Sequence, residues 1–352
     1  MAKTRAGHFF EDFETGMELI HAVPRTVTEG DAALYVALTG DRYPLHCSAE
    51  YAKRLGYTRE TVNDLLVFHL VFGKTVDDVS LNAVANLGYA GLRFLRPVYP
   101  GDTLRSTSRV LGTKENSNGK TGVVWVRTTG TNQRNEIVLE YVRWVMVHKR
   151  DPGTPTGRKD VPEVPGEVAV GDLVVPESLE LSQREGWASG GPFLFEDYEV
   201  GEVIDHVDGM TIEESDHMLA TRLYQNTAKV HFDAHAMKES RFGKRLMYGG
   251  HVISVCRALS FKGLENALGI LAFNGGAHAN PTFAGDTLYA ATHVLDAQPL
   301  SDALGALRLR LVGLKNRDAE LPPLKVEKDG KSRYHPSVVL DLDYWVSMPR
   351  RA

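Results

Sequence analysis

The sequence predicts an α+β protein made of two copies of one unit, each with a long central helix followed by antiparallel strands. Three observations carry this prediction. Similar segments recur at a constant spacing, the apolar pattern changes from helical to alternating within each copy, and a linker rich in proline and glycine separates the copies. The length of 352 residues agrees with it, because about 100–200 residues usually make one domain.

The repeat is clearest near the start of each copy. Residues 10–53 match residues 195–238 without a gap at 14 of 44 positions, an offset of 185. The similarity resumes at 96–104 against 280–288, and an extra loop at about 316–335 lengthens the second copy. A period this long indicates a duplicated domain, because solenoid repeats are about 20–50 residues long. We therefore divide the chain into copy one (1–150), a linker (151–190) and copy two (191–352).

Within copy one, a first helix is expected from Asp31 to Thr39, with Thr28 as its cap and Gly40 as its stop. Residues 40–47 are expected to be irregular, and Ser48 is expected to cap a second short helix. The remaining elements are a long apolar helix and four strands with alternating or β-branched patterns. Their expected ranges are 65–82 for the helix and 93–98, 103–113, 121–132 and 137–148 for the strands.

Composition excludes several classes of protein. A net charge of −5 and 43% hydrophobic residues are ordinary for a globular protein and argue against nucleic acid as a partner. No segment approaches the roughly 20 apolar residues of a membrane span. Two cysteines and no signal-peptide pattern favour the cytoplasm. We expect no metal site, because Phe232 interrupts the one suggestive spacing, His231 with Asp233 and His235.

The segment with the strongest chemical signal contains Asp41 and His46, five residues apart between two helices. A loop bearing Gly40 and Pro44 lets a carboxylate and an imidazole converge on one point. Such a pair is able to hold a water molecule and exchange protons with it, which is general acid–base catalysis.

This segment, Gly40-Asp41-Arg42-Tyr43-Pro44-Leu45-His46, resembles the motif of the MaoC-like (R)-specific enoyl-CoA hydratases. Tyr43 stands where that family usually has Asn. The resemblance covers nearly the whole chain outside the linker and implies a double hot-dog fold and hydro-lyase activity on an acyl-CoA substrate. At a finer level it points to a branched dicarboxylic enoyl-CoA. It also implies a reaction without cofactor, CoA being part of the substrate, and a homo-oligomer.

The mechanism that the resemblance implies begins with a water molecule held by Asp41 and His46. The water adds to Cβ of the enoyl thioester, and Asp41 returns a proton to Cα. The enolate needs an oxyanion hole, usually an N–H at the start of the central helix. We expect Gly249 and Gly250 of copy two to provide it for Asp41, because the stretch taken as equivalent in copy one, 67–69, lacks glycine.

The second copy carries a changed motif, in which Asn226 replaces the aspartate while His231 is kept. An amide does not take up the proton, so we expect one active site per chain. The histidines at 69 and 251, taken as matched helix positions, are expected to be structural, and Cys47 is expected to be a small apolar residue.

Several questions stay open at this point. Tyr43 either touches substrate or covers the loop. Arg93 and Arg96 either form ion pairs or bind a CoA phosphate or a substrate carboxylate, and Arg42 and Lys229 are further candidates. The rival functions are a hot-dog thioesterase and an acyl-CoA binder without activity. A thioesterase would use a carboxylate near the central helix, but nothing in the sequence pairs Asp77 or Asp78 with a base.

Overall fold

The computed structural model describes residues 3–4 and 6–351. Each copy contains the expected central helix followed by four strands of the main sheet, and a first strand that was not predicted precedes the helices. Copy one consists of β1 (Glu18–Thr26), α1 (Glu29–Thr39), α2 (Pro44–Cys47), α3 (Ala49–Arg54), α4 (Asp64–Lys74), β2 (Ala83–Phe94), β3 (Thr103–Glu115), β4 (Thr121–Thr131) and β5 (Ile137–His148). Copy two consists of β6 (Val203–Thr211), α5 (Glu214–Leu223), α6 (Lys229–Phe232), α7 (Gly249–Leu259), β7 (Ile270–His278), β8 (Thr287–Pro299), β9 (Leu304–Lys315), β10 (Lys325–Lys328), β11 (Lys331–Tyr334) and β12 (Val338–Pro349).

Ten of these strands form one antiparallel sheet, in the order β1-β3-β4-β5-β2-β7-β12-β9-β8-β6. The two copies meet where β2 pairs with β7, with Tyr89 opposite Gly276 and Leu92 opposite Phe273. Because Phe273 corresponds to Tyr89 in the repeat and Gly276 to Leu92, corresponding residues exchange places across this pair. The copies are therefore related by a local twofold axis. In the part of the chain described, no helix is long and apolar enough to cross a bilayer.

The central helices α4 and α7 pack against the sheet, and the main hydrophobic core includes the apolar residues of both. Each has eleven residues, and each is buried from its second residue to its last. A helix that is apolar on every side is expected in such an enclosed position. His69 Nε2 contacts Ser254 Oγ at 2.8 Å, and these two residues are counterparts 185 positions apart. His69 and His251 are thus not matched positions, contrary to the expectation from the sequence.

Several boundaries differ from the expected ones. The first strand after the central helix runs from Ala83 to Phe94 instead of 93–98, and α4 ends at Lys74, where a π-helical turn (Val76–Ser80) follows. Part of the segment expected to be irregular forms a helical turn, α2, because proline at its first position is well suited to start a helix.

The linker crosses the outer surface of the sheet as extended chain with short helical turns. The N–H of Val168 donates to Oδ1 of Asn274 at 2.7 Å, and Val168 packs against Leu271 and Trp345. Further along, Leu179 packs beside Leu55 below the short helices. The linker therefore covers apolar surface of both copies.

The extra loop of copy two contains the hairpin of β10 and β11. Its turn residues, Asp329 and Gly330, both have positive φ, at 55° and 67°. This backbone is typical of the tight turns that join two antiparallel strands, in which glycine and aspartate are favoured.

Candidate active site

Asp41 and His46 lie in the connection between α1 and α3. The helix α1 begins at a Thr28 cap and ends at Gly40, whose φ of 68° is left-handed. A side chain at Gly40 would come within 2.8 Å of Met210 of copy two, so glycine lets the connection pass close to the other copy. This packing turns the chain sharply and buries Asp41, which is 5% exposed.

The carboxylate of Asp41 is held by two donors. Its Oδ1 accepts from the N–H of Tyr43 at 3.1 Å, and its Oδ2 accepts from Nδ2 of Asn63 at 2.7 Å. An ionised carboxylate has about four acceptor sites, so both oxygens keep capacity for a water molecule. The two bonds fix the orientation of the group.

His46 is oriented by Thr61. Its Nδ1 lies 3.4 Å from the carbonyl oxygen of Thr61 and 3.1 Å from the hydroxyl of the same residue. A carbonyl only accepts, so Nδ1 carries the proton and Nε2 is left with a lone pair. The imidazole therefore presents a base at Nε2.

The start of α4 completes this site. Asn63 caps the helix through Oδ1, which accepts from the N–H of Leu65 at 2.9 Å, while its Nδ2 donates to Asp41. Burial raises the pKa of the next residue, Asp64, and the electrostatic interaction with His46 acts in the opposite direction. Oδ2 of Asp64 accepts from the N–H of Ile270 in copy two at 2.9 Å. Asn63 and Asp64 were not predicted from the sequence, although an Asn just before an apolar helix is a capping signal.

Gly249 and Gly250 are not beside Asp41, so the expected cross-copy oxyanion hole is not formed. The helix α7 packs on Tyr43 through its last turns, at Arg257. Eight residues of helix separate Arg257 from Gly249, about 12 Å at 1.5 Å per residue. The counterparts of the two glycines are Asp64 and Leu65, since α4 and α7 start 185 residues apart.

The glycines instead lie beside the motif of copy two. The ring of Tyr248 lies 5.5 Å from that of His231, and Nδ1 of His231 donates to the carbonyl of Leu246 at 2.9 Å. This contact corresponds to that between His46 and Thr61. Oδ1 of Asn226 accepts from the N–H of Ala228 at 3.1 Å, as Asp41 does from Tyr43. Each motif is thus paired with the helix start of its own copy.

Histidines surround the motif of copy two. Burial lowers the pKa of His231, of His217 and of His278 to about 4 each, and lowers that of His251 to about 3. Each group favours its neutral form because its surroundings solvate the charged imidazolium poorly and, for His217, His251 and His278, because another histidine is close. The surroundings of Asn226 therefore hold uncharged rings.

The other candidate residues have distinct positions. Tyr43 is buried, and its hydroxyl lies 3.3 Å from Oγ of Ser260 in copy two. Arg93 forms an ion pair with Glu140 at 2.5 Å, so its charge is already balanced. Arg96 is exposed beyond the end of β2. Neither arginine is among the hydrogen-bond partners of Asp41 and His46 in the described residues.

Asp78 does have a basic partner, contrary to the expectation from the sequence. Its Oδ2 lies 2.8 Å from Nδ1 of His21, whose Nε2 lies 2.8 Å from Oγ of Ser108. The order resembles a Ser–His–Asp triad, but Ser108 is only 3% exposed.

The counterpart of this cluster in copy two argues for a structural role. There His206 makes the same two contacts, with Oγ1 of Thr292 at 2.8 Å and with the carbonyl of Lys262 at 2.6 Å, so a carbonyl replaces the acid. A contact that survives without the carboxylate joins the helix end to the sheet and needs no catalytic explanation.

Of two cavities in the described part of the chain, the smaller one lies beside the motif of copy one. A cavity of about 420 Å³ lies at the junction of β2 and β7, near Trp144 and Arg310, away from Asp41. A smaller cleft of about 290 Å³ borders the motif and is lined by residues that include Gly40, Arg42 and Met210. The smaller cleft is the one next to the catalytic candidates, so size alone does not mark the site.

Comparisons with known proteins agree with this geometry. The family model described as mesaconyl-CoA hydratase matches residues 1–321. The chain is 58% identical to a mesaconyl-CoA hydratase from Cereibacter sphaeroides over 349 residues, covering 99% of this chain and 100% of that protein. It is 55% identical to a β-methylmalyl-CoA dehydratase from Chloroflexus aurantiacus over 352 residues, covering 99% of each.

Solved structures show the same architecture. A putative MaoC domain protein dehydratase from Chloroflexus aurantiacus superimposes with a TM-score of 0.96 at 55% identity, over 100% of both chains. A conserved hypothetical protein from Mycobacterium tuberculosis, described as having a double hot-dog fold, superimposes with a TM-score of 0.77 at 25% identity, over 97% of this chain and 98% of that one.

Proposed function

Because the chain belongs to the mesaconyl-CoA hydratase family and has the double hot-dog fold, we propose that it interconverts mesaconyl-CoA and β-methylmalyl-CoA at the site of Asp41 and His46. The enzyme is a hydro-lyase of the MaoC-like type. The observation that carries the assignment of the site is the buried carboxylate of Asp41, fixed by Asn63 at the start of α4, with His46 close by.

In the hydration direction, a water molecule lies between the carboxylate of Asp41 and Nε2 of His46. The two groups take one proton from the water as its oxygen bonds to Cβ of the enoyl thioester. Asp41 then delivers a proton to Cα on the same face. The elements of water are added across the double bond without loss or gain of electrons, and dehydration follows the same steps in reverse.

Negative charge develops on the thioester oxygen as the water adds. The first N–H groups of a helix have no partners within it and carry the positive end of the helix dipole. The start of α4, next to Asn63, is the helix end beside the Asp41 site, so its first turn is our candidate for the oxyanion hole.

We propose one active site per chain. Asn226 occupies the position of Asp41 and is 2% exposed, so no bulk water replaces the missing base. The chemistry above needs an acid and a base but no further group, so we propose a cofactor-free reaction with the acyl-CoA as the only partner. A homo-oligomer and a cytoplasmic location stay predictions.

The test is to incubate the purified protein with mesaconyl-CoA, other branched enoyl-CoAs and crotonyl-CoA, and to follow the absorbance of the conjugated thioester. Wild type should consume mesaconyl-CoA fastest. Asp41→Asn should lower kcat by about 10²–10⁴-fold, the range for loss of a general acid–base group. Circular dichroism provides the control for folding.

A thiol reagent included in the same assay separates the rival functions. Release of free CoA faster than the change in absorbance would identify a thioesterase and overturn the proposal. Binding of the thioesters without any turnover would identify a binder without activity. Near-normal turnover by Asp41→Asn would overturn the assignment of the site.

A further inference from the structure

Arg257 is a buried cation without an acidic partner in the described residues. It lies in the last turn of α7 and is 5% exposed. Its Nη1 donates to Oγ of Ser260 at 3.1 Å, whereas its Nε is buried without a hydrogen-bond partner. The hydroxyl of Tyr344 is also buried without a partner. Unsatisfied buried donors are uncommon and call for an explanation.

Arg257 belongs to copy two but lies against the catalytic loop of copy one. Its guanidinium carbon is 3.8 Å from the centre of the Tyr43 ring, and Tyr43 is two residues from Asp41. Burial lowers the pKa of Arg257, while the nearby Tyr344 and Asp41 act to raise it. The guanidinium thus interacts electrostatically with Asp41, although no hydrogen bond joins the two side chains.

Copy one also has a buried arginine with unpartnered nitrogens, Arg143 at Nε and Nη1, but it stands at a different position of the repeat. At the helix position of Arg257, copy one has Phe72, and at the strand position of Tyr344 it has Arg143. Arg143 lies over the ring of Phe72 at 4.3 Å. Each copy therefore has one buried arginine close to an aromatic ring. In copy one this arginine is on a strand, β5, and in copy two it is on the central helix, α7.

The two arginines contact different parts of the molecule. Arg143 donates to Oγ1 of Thr75 at 2.7 Å and has Ser80 at 3.5 Å, both near the end of α4. In the part of the chain that the structure describes, Arg257 is the buried arginine that touches the segment between Asp41 and His46. Tyr43, the departure from the usual motif, is the residue through which it does so.

We propose that Arg257 binds the free carboxylate of the substrate, with the hydroxyl of Tyr344 as a second donor; this rests on the proposed function. In mesaconyl-CoA the free carboxylate is attached to Cβ, the carbon that receives the hydroxyl. A cation for it must therefore lie within a few ångströms of the water held by Asp41 and His46. A planar guanidinium with an unpaired N–H is suited to this carboxylate.

The other cations are less suitable. Arg93 is paired with Glu140, and Arg42, Arg96 and Lys229 are exposed to solvent. An exposed cation contributes little to selection between a carboxylate and a methyl group, because water solvates both partners. A buried guanidinium without a counter-ion also disfavours an uncharged acyl group, which would leave its donors unsatisfied.

The test measures binding of two saturated CoA thioesters by calorimetry, one with the free carboxylate (methylsuccinyl-CoA) and one with a methyl group in its place (2-methylbutyryl-CoA). Arg257→Met should weaken binding of the first by roughly 10–100-fold, the range for a hydrogen bond to a charged group. It should leave the second unchanged or slightly tighter. Arg257→Lys should recover part of the loss, and Arg143→Met is the matched control, which should change neither.

Equal weakening of both thioesters by Arg257→Met would show a structural role and overturn the proposal. So would an unchanged affinity for the carboxylate, or a selective loss in Arg143→Met. Failure of the proposed function is seen separately, as the absence of turnover in wild type, because the binding measurement needs no catalysis.

Discussion

At the level of single residues, Asn63 connects the helix start to the chemistry. The oxygen of its side-chain amide caps α4, and the nitrogen of the same amide donates a hydrogen bond to Oδ2 of Asp41 at 2.7 Å. The same amide therefore stabilises the helix and orients the base. Its counterpart in copy two is Tyr248, which makes no side-chain cap for α7. Asn63 is thus a second difference between the copies, besides Asp41 itself.

Asn63→Asp should keep the cap but place a second carboxylate next to Asp41. Two neighbouring carboxylates raise the pKa of one of them. The acidic limb of the pH profile of kcat/KM should therefore move to higher pH, with reduced turnover at pH 6. Asn63→Ala should cost about 1 kcal/mol of stability, the usual value of a cap, and lower kcat without this shift.

Ser48→Ala is the matched control for Asn63, because it removes the cap of α3 without a contact to Asp41. It should lower the free energy of unfolding by a similar amount and leave the pH profile unchanged. An unshifted acidic limb in Asn63→Asp would show that the amide does not act on the base.

The sequence was sufficient to propose Asp41 and His46 as the catalytic pair, because both lie in one short motif. It was not sufficient for Arg257. That side chain reaches Tyr43 only through the packing of one copy on the other, across more than 200 residues of sequence. No local pattern distinguishes it from an arginine that ends an exposed helix. The hydrogen bond from the N–H of Ile270 to Asp64 was not predictable for the same reason, because it also joins residues that are far apart in the sequence.

At the level of elements, the helices with caps and stops were predictable, whereas the central strand was not. Thr28 and Gly40 bound α1 as expected, since both act through the local backbone. The strand β2 begins ten residues earlier than expected. It pairs with β5 on one side and β7 on the other, so it is held by long-range pairing and not by its own alternation.

The start of α7 concentrates buried neutral histidines, and this determines how stability depends on pH. Burial holds the pKa of His217, His231 and His278 near 4, against about 6.5 in an unfolded chain. Between these values the unfolded chain binds protons that the folded protein does not. The contribution of these neutral rings to the free energy of unfolding should be fully present above pH 6.5. It should be lost as the pH falls towards 4, by up to about 1.4 kcal/mol per pH unit for each histidine.

Urea denaturation at pH 7.5, 6.0 and 5.0 measures this dependence. His278→Gln should lessen the loss on acidification, and the exposed His148→Gln is the control, which should leave it unchanged. A free energy of unfolding that is constant from pH 7.5 to pH 5.0 would contradict the buried, neutral state of these rings.

At the level of the whole molecule, the twofold arrangement gives two equivalent places for a site, and only one has the necessary groups. Copy one has Asp41, Asn63 and the cation Arg257 reaching in from copy two. At the matching places, the other site has Asn226 and Tyr248 of copy two and Phe72 of copy one. The histidine with its carbonyl contact is common to both. In the proposed function, the duplication therefore keeps the scaffold of the motif in both copies and the catalytic groups in one.

This division predicts that one substitution does not create a second site. In Asp41→Asn/Asn226→Asp, the new carboxylate would have the N–H of residue 228 as a donor, but no amide at position 248, where the ring of Tyr248 lies against His231. Phe72 occupies the position of Arg257 on that side, and the buried arginine there, Arg143, lies over the Phe72 ring instead. We expect the double variant to be as inactive as Asp41→Asn.

The new carboxylate should also cost stability, because it is buried with incomplete hydrogen bonding, by about 1–3 kcal/mol. Asn226→Asp alone is the control and should retain nearly normal turnover, since its Asp41 site is intact. Recovery of hydration in the double variant would show that an aspartate and a histidine suffice on either side of the twofold axis. Loss of hydration in the control would show that the two sites are coupled through the central helices.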